Sequence, residues 1–317
     1  CEAVCPSGVK YGEILEASRA QIEQARKSTP KARVLRKVVF GGVFTDMRRF
    51  RALSTGLRLY QRSPLPRIAK RSGVLKLLGL DQAHELMPRV SDRFVVPKGE
   101  TIPAQGQWRG RVGLFTGCIM STAYSEIHEA TIRVLTRNGF EVTLIDGQGC
   151  CGALHVHQGD PDGGRALARK NIDAFDSPYL DAIIVNAAGC GAAMKEYGHL
   201  LKDDPEYAER AARFAERVQD VTEFLAAKGL SAEPGPLPMT VTYQEPCHLA
   251  HAQRIAKQPR QLLKAIPELK VVEMPESSLC CGSAGIYNLL QPDMSSKLLA
   301  RKLDNALSTG AEAIVSA

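Results

Sequence analysis

Ile145-Asp-Gly-Gln-Gly-Cys-Cys-Gly152 and Ser277-Ser-Leu-Cys-Cys-Gly282 are two copies of one pattern, a pair of adjacent cysteines closed by a glycine. Each follows a short apolar run, residues 140–145 and 270–274, with the length and composition of a buried strand. Upstream, each copy has another such run, residues 111–116 and 239–243, that leads to a single cysteine, Cys118 or Cys247. Helix-period residues fill the interval, 121–138 in the first copy and up to about residue 266 in the second. Downstream the order is again shared: helix 164–175 and strand 182–186 in one copy, helix 292–307 and strand 313–316 in the other. The first copy continues into Gly189-Cys190-Gly191 and a further helix. With 31 residues between Cys118 and Cys150 and 32 between Cys247 and Cys280, the chain carries an internal duplication. Alternating strand and helix predicts an α/β fold of small parallel sheets with right-handed crossovers, in which the loops after successive strands gather at one sheet edge. Cysteines far apart in sequence meet there. The two units are assigned to residues 109–230 and 231–317.

The upstream part has a different character. Cys1-Glu-Ala-Val-Cys5-Pro6 is a loop, and Ile14, Leu15, Ala17 and Ile22 give residues 12–27 an amphipathic helical pattern that Pro30 is expected to end. Residues 1–30 are read as the end of one domain and 31–108 as a helical connector. It is broken at Gly41-Gly42 and Ser63-Pro-Leu-Pro66, then punctuated by Pro and Gly to near Gly110. Residues 31–76 hold thirteen Lys or Arg against Asp46 alone, a local +12. Because the whole chain carries +7, the remainder sums to 7 − 12 = −5. Such a segment docks on anionic lipid or an acidic partner, or is solvated helix surface. Interleaved aromatics are too few for a nucleic-acid surface.

The composition, 44% hydrophobic and 24% charged over 317 residues, is that of a multidomain globular chain, and its apolar runs are too short to span a membrane. The chain opens inside a cysteine motif with no initiator methionine, so it reads as part of a longer protein. Nine cysteines clustered beside glycines fit ligand duty in a reducing compartment better than a disulfide framework. The expected location is the cytoplasm, peripheral on the inner face of the cell membrane.

Cys1-x3-Cys5-Pro6 is the tail of the C-x2-C-x2-C-x3-C-P run with which thiolates hold cubane clusters. For Cys118, Cys150, Cys151 and Cys190 a disulfide between the adjacent pair is awkward, since neighbouring Cα atoms are only about 3.8 Å apart. Zinc sites are usually built on C-x2-4-C hairpins, a spacing that none of these four cysteines shows. Paired cysteine side chains diverge and suit two irons of one cluster. Gly117, Gly149, Gly152, Gly189, Gly191 and Gly282 permit close backbone approach and N–H donation to sulfide, or are simple turn residues. Gly147-x-Gly149-x-x-Gly152 also matches a dinucleotide fingerprint; it is set aside because the next helix is expected about ten residues too late to meet a pyrophosphate and because the second copy, Ser278-Leu-Cys-Cys-Gly282, lacks the first two glycines. His155, His157, His248 and His251 are read as polar residues at helix starts that also hydrogen-bond near a cluster.

These stretches, together with Cys1-Glu-Ala-Val-Cys-Pro-Ser-Gly-Val-Lys-Tyr11, Lys170-Asn-Ile-Asp-Ala174, Lys195-Glu-Tyr-Gly198 and Leu279-Cys-Cys-Gly-Ser-Ala-Gly285, resemble the cysteine-rich CCG domains of heterodisulfide reductase subunits. Most closely they resemble the iron-sulfur subunits of glycolate oxidases, along the whole chain. The resemblance implies two ferredoxin-type [4Fe-4S] clusters in the full-length chain, with Cys1 and Cys5 among the ligands, ahead of two CCG units. It assigns Cys118, Cys150, Cys151 and Cys190 to the first unit and Cys247, Cys280 and Cys281 to the second. It implies FAD-binding partner subunits that oxidise glycolate to glyoxylate and electron delivery toward the quinone pool. The family pattern closes with C-x-x-C, but Ala193 stands where the last cysteine is expected, so the first unit supplies four thiolates. Related alternatives are the iron-sulfur subunit of a lactate or glycerol-3-phosphate dehydrogenase complex and a heterodisulfide-reductase-type catalytic subunit. Outside redox chemistry, the alternative is a zinc-stapled structural protein.

Overall fold

The computed structural model describes residues 5–25, 29–283 and 285–316; Cys1 lies outside them. The upstream part is helical: α1 (Tyr11–Ala25), α2 (Pro30–Val38), α3 (Met47–Arg62), α4 (Leu65–Arg71), α5 (Val74–Leu77) and α6 (Asp81–Glu85). Pro30 opens α2, where its missing N–H costs nothing. Gly41-Gly42 does not break the chain either. The pair lies in a π-helical turn, Val39–Val43, that continues α2. The break follows it, where the Asp46 carboxylate accepts from the Arg48 amide at 2.8 Å and caps α3.

The first repeat runs β1 (Thr101–Ile102), β2 (Gly110–Leu114), α7 (Ile119–Ala123), α8 (Ser125–Arg137), β3 (Phe140–Thr143), α9 (Ala153–His157), α10 (Pro161–Ala174) and β4 (Ala182–Val185). It ends with α11 (Ala188–Lys195), α12 (Tyr197–Leu200), α13 (Ala208–Arg217), β5 (Val218–Asp220) and α14 (Val221–Lys228). The second has β6 (Met239–Gln244), a π-helical turn at His248–Ala252, α15 (Lys257–Lys264), β7 (Leu269–Glu273), α16 (Tyr287–Leu290), α17 (Pro292–Leu307) and β8 (Ala313–Ser316). The expected single helix before β7 is therefore two pieces.

The five-stranded sheet has the order β1-β3-β2-β4-β5 and the three-stranded one β7-β6-β8. The shared core β3-β2-β4 and β7-β6-β8 is the duplication in three dimensions. Both cores are parallel, with Val112 opposite Val142 and Ala182, and Val241 opposite Val271 and Ala313. The sequence reading omits β1, an antiparallel edge of two residues with Thr101 opposite Thr143. It omits β5 as well.

Helices cover both faces of the larger sheet, which is why β4, Ala-Ile-Ile-Val, is buried at every position. On one face Val112, Leu114, Val142 and Ile184 pack with Leu135, Phe140 and Phe224; on the other Ile183 and Val185 pack with Phe175, Leu167 and Phe214. The connector joins this second core through Phe50, buried beside Phe44. Helices α1 and α2 are pinned to the end of α9: Arg19 donates to the His157 carbonyl at 3.1 Å and Arg36 to that of Gln158 at 2.8 Å. A side chain on Gly159, at φ +73°, would stand 2.6 Å from the Arg19 carbonyl oxygen. The segment holding Cys5 is thereby held against the first repeat.

Candidate iron-sulfur site

Each sheet core sends its strands' C-terminal ends toward the other. β2 leads to Cys118, β3 to Cys150 and Cys151, β4 to Cys190, β6 to Cys247 and β7 to Cys280 and Cys281. A cavity of about 460 Å³ lies between the units, lined by Cys118, Cys150, Cys151, Cys190, Cys247 and Cys281. The sequence predicts a gathering at the edge of each sheet; the structure merges the two gatherings into one. The units close tightly here, because Gln253 donates to the Ala188 carbonyl at 2.9 Å and its amide lies 2.7 Å from where a Cβ at Gly191 would be.

Within the first unit the Cys118 and Cys150 sulfurs are 3.6 Å apart and those of Cys151 and Cys190 are 3.2 Å apart. Adjacent cysteines thus turn to different partners, as ligands of different irons must. In the second unit the Gly282 amide donates to the Cys280 sulfur at 3.4 Å, and Cys247 lies 3.6 Å from the His248 Nδ1. The glycine after each pair has the same conformation, φ +84° at Gly152 and +82° at Gly282, because the chain reverses into a packed helix. A Cβ at Gly282 would fall 2.6 Å from the Ser295 carbonyl oxygen of α17, and one at Gly152 3.2 Å from that of Gly164 in α10. Gly152→Ala is expected to cost about 1–3 kcal/mol of left-handed strain, and Gly282→Ala more because of the added clash. Thermal denaturation of the two variants checks the order.

Burial and neighbouring sulfurs set the thiol chemistry. Cys118 is pushed well up by its bond to Cys150 and by burial, and Cys151 by its bonds to Cys150 and Cys190 and by burial. Cys150, which accepts from Cys118 and Cys151, is pulled well down, so it ionises first. In the second unit the bond to Cys280 brings Cys247 down to about 7, while the bond to Cys280 and burial push Cys281 up. Several thiolates cannot coexist in so buried a place without a cation. Soft iron in an iron-sulfur core supplies the countercharge, so the donor set fits such a group. Among the described residues no three His, Cys, Asp or Glu side chains are set to hold one metal ion. Cluster thiolates each bind their own iron and need no common focus. Cys5 fits a thiolate in its own way, since the amides of Val9, Ser7 and Gly8 favour its ionised form.

The histidines divide. His155 and His157 end the short helix α9 rather than starting one. His155 is buried with its Nε2 3.0 Å from the Phe40 carbonyl, so it ties α9 to the connector, and its charge also favours the Cys150 thiolate. His157 is 3.0 Å from Glu16 of α1, lines the cavity and has its ring 6.0 Å from that of His248. His251 is exposed, 3.4 Å from the Ser278 carbonyl. One of the two reasons for setting the dinucleotide fingerprint aside fails, because α9 begins at Ala153, directly after Gly152; the missing glycines of the second copy still count against it. That helix has only five residues, and the turn it follows carries Cys150 and Cys151, which face a cavity lined by six cysteines.

Three braces have no assigned role in the sequence reading. Asn171, fully buried, donates to the Cys150 carbonyl at 2.9 Å and accepts from the Gly149 amide at 2.9 Å. Tyr197 donates to the Cys151 carbonyl at 2.8 Å. Gln148 accepts from the Thr116 amide at 2.7 Å and donates to the Leu114 carbonyl at 3.1 Å, tying the Cys118 loop to the Cys150 loop. A polar residue on the apolar face of a predicted helix was the available signal for Asn171.

Residues 112–195 and 241–317 match the model of the cysteine-rich domain CCG. Residues 31–87 match that of the linker region of the glycolate oxidase iron-sulfur subunit. The probable glycolate oxidase iron-sulfur subunit of Bacillus subtilis is 40% identical over all of this chain and 72% of its own length. The chain belongs to the family of glycolate oxidase iron-sulfur subunits. The glycolate oxidase iron-sulfur subunit of Escherichia coli is 34% identical over 98% of this chain and 71% of its own length. A lactate utilization protein A of Bacillus thuringiensis is 28% identical over 65% of this chain. Unlike the lactate protein, the two glycolate oxidase subunits align with essentially the whole chain, connector included.

Proposed function

We propose that this chain is the electron-carrying subunit of a glycolate oxidase, taking electrons from an FAD-bearing partner that oxidises glycolate to glyoxylate and passing them toward the quinone pool. The observation that carries this reading is the convergence of six cysteines from both repeats on one cavity. Iron-sulfur clusters bound there and in the ferredoxin-type segment supply one-electron carriage. Cys118, Cys150, Cys151 and Cys190 hold one; Cys247, Cys280 and Cys281 contribute to a second; Cys1 and Cys5 serve the upstream [4Fe-4S] pair. The surrounding Phe115, Val185 and Leu154 keep water from the sulfurs, and the Gly282 N–H steadies sulfur charge.

The test is anaerobic purification of the full-length chain with its flavin partners, followed by iron and sulfide analysis and EPR after adding glycolate. Reduced iron-sulfur signals with glycolate, and not with lactate or glycerol 3-phosphate, support the reading. Zinc without sulfide overturns it, and reduction by lactate alone moves the chain to the lactate systems.

The same complex docks, in this reading, on the inner face of the cell membrane. Helices α4 and α5 expose Leu65, Ile68, Val74, Leu77 and Leu78, with Leu77 85% accessible, beside Arg67, Lys70, Arg71 and Lys76. Residues 63–80 contain no acid. Among the described residues no helix is long and apolar enough to cross a membrane, so contact is with the headgroup layer. Lys70→Gln/Arg71→Gln/Lys76→Gln is expected to weaken sedimentation with phosphatidylglycerol vesicles about 100-fold, at roughly a factor of five per lost charge. Equal binding to phosphatidylcholine, or no loss in the variant, sinks the idea.

A further inference from the structure

Asn171 and Lys302 occupy the same place in the two repeats. Each lies ten positions past the proline that opens the helix behind its cysteine pair, 171 − 161 and 302 − 292. Each also grips the backbone that leads into that pair, Asn171 reaching as far as its first cysteine. Asn171 holds the Gly149 amide and the Cys150 carbonyl, while Lys302 donates to the Ser277 carbonyl at 2.8 Å and to that of Leu279. The mechanical task is shared, but the charge is not.

Lys302 is 4% exposed. Among the described residues no carboxylate forms an ion pair with it. A buried ammonium held by carbonyls needs negative charge nearby; Cys281, Cys247 and Cys280 are the foremost negative groups that act on it, ahead of Glu245, which is already paired with Arg260. The first pair has its own lysine, Lys170, beside Gly149, but that side chain is exposed and screened by water. Solvent acts in the same direction. Cys150 and Cys151 are buried, whereas Cys280 and Cys281 are half-exposed, and both contact with water and positive charge favour the more negative, reduced state of an iron-sulfur group.

We propose that Lys302 is the fixed countercharge of the second cysteine pair and makes the second unit the more easily reduced of the two. With clusters held by both units, an electron reaching the first would pass to the second, one oxidised as the other is reduced, with no bond or proton changing hands. The proposal rests on the electron-carrier reading above. It adds to that reading a direction and a residue that sets it.

The experiment is a redox titration of the anaerobically prepared full-length chain, followed by EPR, for wild type, Lys302→Gln and Lys302→Arg. Glutamine keeps an N–H donor for the Ser277 and Leu279 carbonyls but loses the charge. It is expected to shift one couple at least tenfold in its oxidised-to-reduced ratio at fixed potential, 59 mV for one electron, toward harder reduction, leaving the others in place. Arginine keeps the charge and is expected to hold that couple within about twofold of wild type, 18 mV by the same constant. A merely structural brace would lower thermal stability or iron content without moving a surviving couple, and that result overturns the proposal. So does a shift shared by Lys302→Arg. A wild type with no couple from the cysteine repeats overturns the carrier reading itself, which is distinguishable from couples that are present and unmoved.

Discussion

Serine in place of Cys151 is expected to strip the iron and sulfide of the first unit and to slow glycolate-driven reduction of the second unit about 100-fold or more, roughly 2.7 kcal/mol of lost coupling. Cys151 is buried, its sulfur 3.2 Å from that of Cys190, on the opposite side of the adjacent pair from the Cys118 contact made by Cys150. Serine nearly preserves the volume but offers a hard, protonated oxygen where soft iron needs a thiolate. Packing should survive, so circular dichroism and the thermal midpoint of the metal-free chain should be close to wild type. Iron and sulfide analysis with stopped-flow reduction tests the effect. Full iron retention in Cys151→Ser would remove Cys151 from the ligand set, and iron loss with unchanged reduction of the second unit would remove the first unit from the electron path.

The largest effect on stability is expected at a residue that never touches iron. Asn171→Ala leaves the Gly149 amide and the Cys150 carbonyl without partners in a fully buried site. At about 1–3 kcal/mol for each unsatisfied group, the loss should be about 2–5 kcal/mol and should lower the melting midpoint by roughly 5–15 °C. Asn171→Asp keeps an acceptor for Gly149 but loses the donor to Cys150 and sets a carboxylate against ionising thiols, so it should be no better. Tyr197→Phe deletes one hydrogen bond to the Cys151 carbonyl and should cost about 1 kcal/mol. Calorimetry of the three variants checks the ranking. An Asn171→Ala midpoint within about 1 °C of wild type would show that the cysteine turn holds without its brace.

Much of the architecture was legible in the sequence, for identifiable reasons. Helix 292–307 and strand 313–316 agree with α17 and β8 because a proline opens that helix and Gly310 stands between the two. Strand β4 was readable as a continuous apolar run because both of its faces are covered. The errors fall where local signals mislead. Gly41-Gly42 has the composition of a break, yet the helix passes through it as a π-turn, and packing of Phe40, Phe44 and Phe50 outweighs the glycine penalty. Conversely, the helical pattern before β7 is interrupted after Cys247, where the chain turns to place Gln253 against the first unit.

By itself the sequence determined that the chain is a duplicated α/β protein whose cysteines end strands, because strand period, helix period and cysteine spacing are local properties repeated at a fixed interval. It also determined which thiols belong to which repeat. The tertiary structure alone decided that both sets open onto one cavity, that His155 serves the connector, and that Asn171 and Lys302 stand in equivalent places with unequal charge. Those are relations between residues that sequence distance does not order. The packing of one sheet edge against another sets which cysteines share a space, and burial sets whether a lysine is a screened surface charge or an unscreened one beneath a pair of thiols.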